Sequence, residues 1–271
     1  MKIRILSGII GLAALVPLMI IGGVWLQIGL AFVVVTGMRE FYAAFEEIKT
    51  KHMAALILTV LFIVLSPPGG DALLWMSLLS LLFLAWFSRM AFVELVKKEY
   101  EPKGREVVIG FAYVAMPLYM VFLLRDGLPL GQFHIWLIFI SAWGCDTGAY
   151  FTGLTMGRRK LAPVLSPKKT WEGSIGGTIV ATILAAAYGL ILYNLGILAF
   201  EFILIYAVTA FVCSIAGQIG DLTASAIKRG RGLKDFGKIM PGHGGVLDRF
   251  DSIIYVAPLA MAVLAIVDRL F

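Results

Sequence analysis

The side chains best placed to do chemistry in this chain are carboxylates that interrupt apolar stretches. Asp146 lies in the run Trp143-Gly144-Cys145-Asp146-Thr147-Gly148. Asp221, Ser225 and Lys228 follow at intervals of four and three, which puts them on one face of a helix. Asp248 and Asp251 are three apart and share a face at the start of the last apolar stretch. Carboxylates one turn apart offer the oxygen ligands a hard cation such as magnesium needs, and a helix N-terminus favours their ionised form. Cations crowd the same segments: Lys168 and Lys169 follow Ser166, Arg229 follows Lys228, and Lys234 and Asp235 precede the turn holding His243, Gly244 and Gly245. The sequence contains neither a Gly-x-x-x-x-Gly-Lys-Ser/Thr run nor a Ser-His-Asp or Cys-His arrangement, so phosphoryl or nucleotidyl transfer by positioned metal ions fits better than covalent catalysis. Cys145 and Cys213 sit in apolar stretches and suggest neither a disulfide framework nor a metal cluster.

Each feature also has a plainer explanation. Asp146 could pack between helices on a neighbouring lysine, residues 157–177 could be an ordinary basic loop, and the last aspartates could cap a helix. Gly173, Gly176 and Gly177 permit close approach either of a phosphate or of another helix. Capping explains one carboxylate but not four at one interface, so Asp146, Asp221, Asp248 and Asp251 are expected to meet in a single pocket and hold divalent ions there. His243 has no His or Cys companions for zinc, and His52 and His134 read as interfacial polar residues.

The elements that position these groups are membrane helices. Of 271 residues, 60% are apolar and 15% charged, with mean hydropathy +0.92, which excludes a soluble enzyme, a disordered chain and a solenoid. A spanning helix needs roughly 20 apolar residues. Nine stretches qualify: 5–21, 24–45, 53–65, 72–87, 107–124, 133–151, 175–195, 200–219 and 252–267, the third being the weakest. Lys2 and Arg4 resemble the start of a signal peptide, but no cleavage pattern follows, so the first stretch is expected to be retained. With the N-terminus cytoplasmic, 21 of the 23 Lys and Arg fall on the inner face and only Arg125 and Arg269 outside. The formal charge of +6 therefore reports topology rather than nucleic-acid binding. The expected fold is an all-α integral membrane protein, a polytopic bundle of about nine transmembrane helices. Residues 1–132 form spans one to five; residues 133–271 form a catalytic region with cytoplasmic loops at 152–174 and 220–251. The segment from Ser88 to Arg105 reads as an extension of the fourth helix.

From Ser225 to Asp251 the chain resembles the signature of the phosphatidate cytidylyltransferases, or CDP-diacylglycerol synthases: Ser-x-apolar-Lys-Arg, then Lys-Asp, a Pro-x-His-Gly-Gly turn and Asp-Arg-x-Asp. Here these are Ser225, Lys228, Arg229, Lys234, Asp235, Gly237, Pro241, His243, Gly244, Gly245, Asp248, Arg249 and Asp251. Met240 is a mild apolar departure, and the stretches around Asp146 and from Ser166 to Trp171 share the likeness. The resemblance implies CMP transfer from CTP to phosphatidic acid, giving CDP-diacylglycerol and pyrophosphate, at the cytoplasmic face of a bacterial inner membrane. It implies Asp146, Asp221, Asp248 and Asp251 as metal ligands, with Lys228 and Arg229 as further catalytic residues. Ser166, Lys168, Lys169, Ser225, Lys234, Asp235, His243, Gly244 and Gly245 are the implied substrate contacts. The implied ion is magnesium, with two cation sites expected and the second ion's identity open. Partners are CTP, phosphatidic acid and membrane lipid; a homodimer is compatible with the composition, although no motif marks it. The alternatives are a related CTP-dependent enzyme acting on archaeol phosphate or a polyprenol, and, from another class, an ion transporter.

Overall fold

The computed structural model describes residues 2–45, 49–66, 72–95, 105–242 and 244–270. His243 and much of the connection between the fourth and fifth spans lie outside them. Among the described residues the chain forms nine helices and one short hairpin. The first three helices are α1 (Lys2–Ile21), α2 (Gly23–Phe45) and α3 (Thr50–Leu65). α4 (Ala72–Met90) runs on as a π-helical turn, Ala91–Leu95, which extends it beyond the expected span. α5 (Glu106–Gly127) contains a π-helical segment, Phe111–Ala115, just before Pro117. Proline lacks the amide donor and crowds the carbonyl four residues earlier, and a widened turn relieves both.

α6 is assembled from Gly131–His134, Trp136–Phe139, a π-helical segment Ile140–Gly144 and Cys145–Met156. The wide turn ends one residue before Cys145 and re-phases the helix immediately ahead of Asp146. After α6 come β1 (Lys160–Ala162) and β2 (Ser166–Thr170), paired antiparallel with Lys160 opposite Thr170, then α7 (Trp171–Asn194), α8 (Glu201–Gly230) and α9 (Leu247–Leu270). The hairpin is a small departure from the all-helical expectation: Pro163 and Pro167 keep residues 160–170 out of helix, and pairing satisfies the backbone instead.

Helices α2, α4, α5, α7, α8 and α9 are long and apolar enough to cross a membrane; α3 and the stretch Ser7–Ile21 of α1 are shorter apolar helices among the described residues. The protein is an all-α polytopic membrane protein. α9 and α5 are the most buried of the six, 78% and 72% of their apolar windows against 33–44% for the rest, so they form the centre of the bundle. α9 packs on α8, α4 and α5, and a single apolar core runs through both halves of the chain. The boundary at residue 132 therefore divides the sequence without dividing the core.

Small residues and buried hydrogen bonds set the helix contacts. A side chain on Gly177 or Gly173 would run into the carbonyls of Cys145 and Ala149 on α6, so these glycines serve a helix crossing. Gln218 of α8 donates to Thr178 of α7 at 2.9 Å, and Ser88, Thr223 and Tyr255 link α4, α8 and α9. At one end of the bundle Arg125 donates to the Met19 and Ile20 carbonyls at the end of α1, while Asp126 accepts from the Gly23 amide at the start of α2. His52 and His134 are buried within the protein: the Lys49 amide donates to His52, and His134 bonds the Tyr206 hydroxyl at 2.7 Å.

Candidate active site

At the opposite end of the bundle, the loop from Arg231 to Val246 must be seated before α9 can begin. Three side chains seat it. Asp248, in the first turn of α9, receives the Lys228 ammonium on Oδ1 at 2.7 Å and the amides of Phe236 and Gly245 on Oδ2 at 2.8 and 2.9 Å. Lys228 also lies over the Phe236 ring, 5.3 Å from its centroid. Glu40, near the end of α2 and only 6% exposed, accepts from the Val246 and Leu247 amides at 3.1 and 2.8 Å, satisfying donors a helix start leaves open. Gly237 and Gly245 lie so close to the Glu40 carboxylate that neither position has room for a side chain. In return Arg231 donates to the Ala44 and Phe45 carbonyls that end α2 and stacks on the Phe45 ring. Within the loop the Met240 amide donates to the Gly244 carbonyl, and Gly244 adopts φ +84°, which suits glycine.

The second half of the site is built by α6, the hairpin, α7 and α8. Thr170 caps α7 by accepting the Gly173 amide at 3.1 Å, and Glu172 accepts the Arg158 and Arg159 amides, tying the end of α6 to the start of α7. Lys169, at the end of β2, is thereby brought onto the carboxylate of Asp221, which also accepts from Ser225 at 3.4 Å. Burial disfavours the Lys169 ammonium, but Asp221, with Asp146 and Asp251 behind it, outweighs burial and raises the lysine above its ordinary pKa. Lys169 is therefore a fixed positive charge at neutral pH.

Two cavities open here, and they differ in the charged groups they carry. One, of about 500 Å³, is lined by Asp146, Asp221, Lys160, Lys168, Lys169 and Ser174, among others. The other, of about 750 Å³, runs between α1, α2 and the start of α9; its wall is apolar, with Leu12, Leu18, Ile28 and Phe32, except at the end bearing Asp146, Asp248, Arg249 and Asp251. Asp146 lines both.

The four aspartates, expected to meet in one pocket, line two adjoining cavities that share Asp146. Asp146 and Asp221 face the basic cavity, Asp146, Asp248 and Asp251 the apolar one, and Asp248 is engaged by three donors. Asp146, Asp221 and Asp251 are nevertheless near enough to repel one another. Among the described residues, no three carboxylate, imidazole or thiol groups form a metal cage by themselves. Of the expected substrate contacts, Lys168 and Lys169 line the basic cavity and Ser225 lies beside Asp221. Ser166 opens β2, and Lys234 and Asp235 are exposed on the loop. Gly244 and Gly245 shape the loop under Asp248. Arg229 is exposed and donates to the Leu233 carbonyl, while Lys228 is buried against Asp248. Sequence reasoning missed Glu40; a carboxylate within the apolar stretch of α2 was the available signal.

A profile of the cytidylyltransferase family matches residues 2–267. A phosphatidate cytidylyltransferase of Bacillus subtilis is 33% identical over 282 residues, covering 98% of each chain. One of Staphylococcus haemolyticus is 35% identical over 264 residues, covering 96% of this chain and 97% of its own, and one of Staphylococcus aureus is 35% identical over 261 residues with the same coverage. Agreement over nearly the whole length, with the signature segment lining the apolar cavity, places this chain in the cytidylyltransferase family.

Proposed function

We propose that the protein transfers CMP from CTP to phosphatidic acid, giving CDP-diacylglycerol and pyrophosphate. The observation that carries this reading is the shared wall at Asp146: a basic cavity suits a triphosphate, an apolar cavity suits acyl chains, and their volumes lie within the roughly 300–1,000 Å³ usual for ligand sites. An oxygen of the lipid phosphate attacks the α-phosphorus of CTP, a new P–O bond forms, and the bond from the α-phosphorus to the bridging oxygen breaks as pyrophosphate leaves with its electrons. A phosphate monoester has its second pKa near about 6, so the attacking oxygen is already largely ionised and needs no strong base. Lys160, Lys168 and Lys169 face the cavity assigned to the triphosphate, and the Asp221 pairing keeps Lys169 protonated and in place.

The donor set suits magnesium, which commonly takes one or two carboxylates and completes its shell with water and substrate phosphates. Those one or two carboxylates would come from among Asp146, Asp221 and Asp251, whose mutual repulsion a cation relieves. Magnesium would neutralise charge building on the phosphates. Asp248 is assigned instead to holding the loop. The concentration of basic residues in the sequence segments at this end supports a cytoplasmic orientation, in a bacterial inner membrane.

The test is to incubate detergent-purified protein with magnesium, phosphatidate and CTP labelled at the α-phosphate. A labelled lipid is expected, and omission of magnesium should abolish it. No labelled lipid with phosphatidate under any lipid and metal condition, or labelling only with archaeol phosphate or a polyprenol, would overturn the assignment.

A further inference from the structure

The apolar cavity carries three carboxylates at its polar end, which by themselves repel a lipid phosphate, and Arg249 is the cation among its described lining residues. Arg249 lies between Asp248 and Asp251 in the first turn of α9, yet differs from both in being exposed. Its amide donates to Val246, but its guanidinium has no hydrogen-bond or ion-pair partner among the described residues. Of the nearby cations, Lys228 is engaged by Asp248, Arg229 by Leu233, Arg231 by Ala44 and Phe45, and Lys169 by Asp221, while Lys234 and Lys238 are exposed on the loop and do not line this cavity. Arg249 is also close enough to feel the charge of Asp146, where the two cavities meet.

We propose that Arg249 binds the phosphate of the lipid substrate and selects a phosphate monoester. This deepens the function proposed above and rests on it. A guanidinium grips two oxygens of a phosphate at once. A terminal phosphate monoester offers three, so two are held and the third is left to attack CTP across the Asp146 wall. A lipid without the phosphate offers Arg249 nothing, and a diester would have to give up its attacking oxygen to satisfy the fork. The acyl chains lie along α1 and α2, away from the charged end.

The test measures binding of dioctanoyl phosphatidate and of dioctanoyl glycerol to the full-length protein in detergent without CTP or magnesium, followed by turnover. Wild type should prefer phosphatidate. Arg249→Gln should lose about tenfold to a hundredfold of that affinity, the worth of a hydrogen bond to a charged group, and raise KM for phosphatidate similarly while leaving KM for CTP unchanged. Arg249→Lys, which keeps the charge but not the fork, should fall between the two and unfold at the wild-type temperature. If the Gln variant does not fold, wild-type phosphatidate affinity in the Lys variant overturns the proposal. So does unchanged phosphatidate binding in a folded Gln variant, or a defect confined to CTP. A wild-type protein that binds phosphatidate through Arg249 but forms no cytidylylated lipid would defeat the proposed reaction and leave this inference standing.

Discussion

Lys228 and Asp248 form a closed pair, whereas Lys169 and Asp221 form an open one. The closed pair is buried: its carboxylate also takes two loop amides, and its lysine lies against Phe236. The open pair joins the hairpin to α8 across the wall of a cavity, with Asp146 alongside. Both use the same two residue types at the same end of the bundle, so residue identity does not separate them. The number of protein donors reaching each carboxylate does. An aspartate engaged by three donors fixes a loop even where it lines a cavity, and one with fewer donors can meet a ligand.

The comparison can be broken most directly at Asp146. Asp146→Asn should reduce turnover by about a hundredfold or more, as expected when a charged group acting on the transition state is removed, while the thermal unfolding midpoint in detergent stays put. A midpoint shift matching the lost activity would make Asp146 structural. Asp248→Asn should do the reverse in emphasis. An amide cannot accept from Lys228 on one side and two backbone donors on the other, so the variant should lose about 3–5 kcal/mol of stability, with activity falling because the loop is lost. Adding Lys228→Met to remove the stranded ammonium should recover part of that stability, and a wild-type midpoint in Asp248→Asn would show the pair to be open after all.

Glu40→Ala sharpens the contrast from the other side of the loop. It strips two amides of their acceptor and should cost about 1–3 kcal/mol, read as a lower midpoint that Glu40→Gln restores in part. The smallest effect on stability is expected for Arg229→Ala, an exposed side chain bonded to one loop carbonyl: a change within about 0.5 kcal/mol, read as a near-wild-type midpoint.

What the sequence disclosed follows from which physical constraints are local. The apolar runs predicted α7, α8 and α9, because crossing hydrocarbon demands length and composition that can be read residue by residue. The spacing of Asp221, Ser225 and Lys228 correctly placed them on one helix, but not the difference in their fates, since Lys228 turns to Asp248 and Asp221 to Lys169. Those choices depend on how α8 meets α9 and the hairpin. The hairpin itself was legible only as an interruption: its prolines exclude helix, while the pairing of Lys160 with Thr170 has no alternating apolar pattern to announce it. Glu40 was hidden for a related reason, its partners lying 206 and 207 positions away.

That separation governs the order in which the molecule can be completed. α2 emerges early and carries an acceptor that nothing local satisfies, and the peptide groups that need it arrive only with the final helix. A chain severed between α5 and α6 would leave the C-terminal fragment with its last helix starting on two bare amides, however complete its signature. Grafting that segment onto another set of N-terminal helices would fail in the same way unless the recipient presents a carboxylate at the height of Glu40.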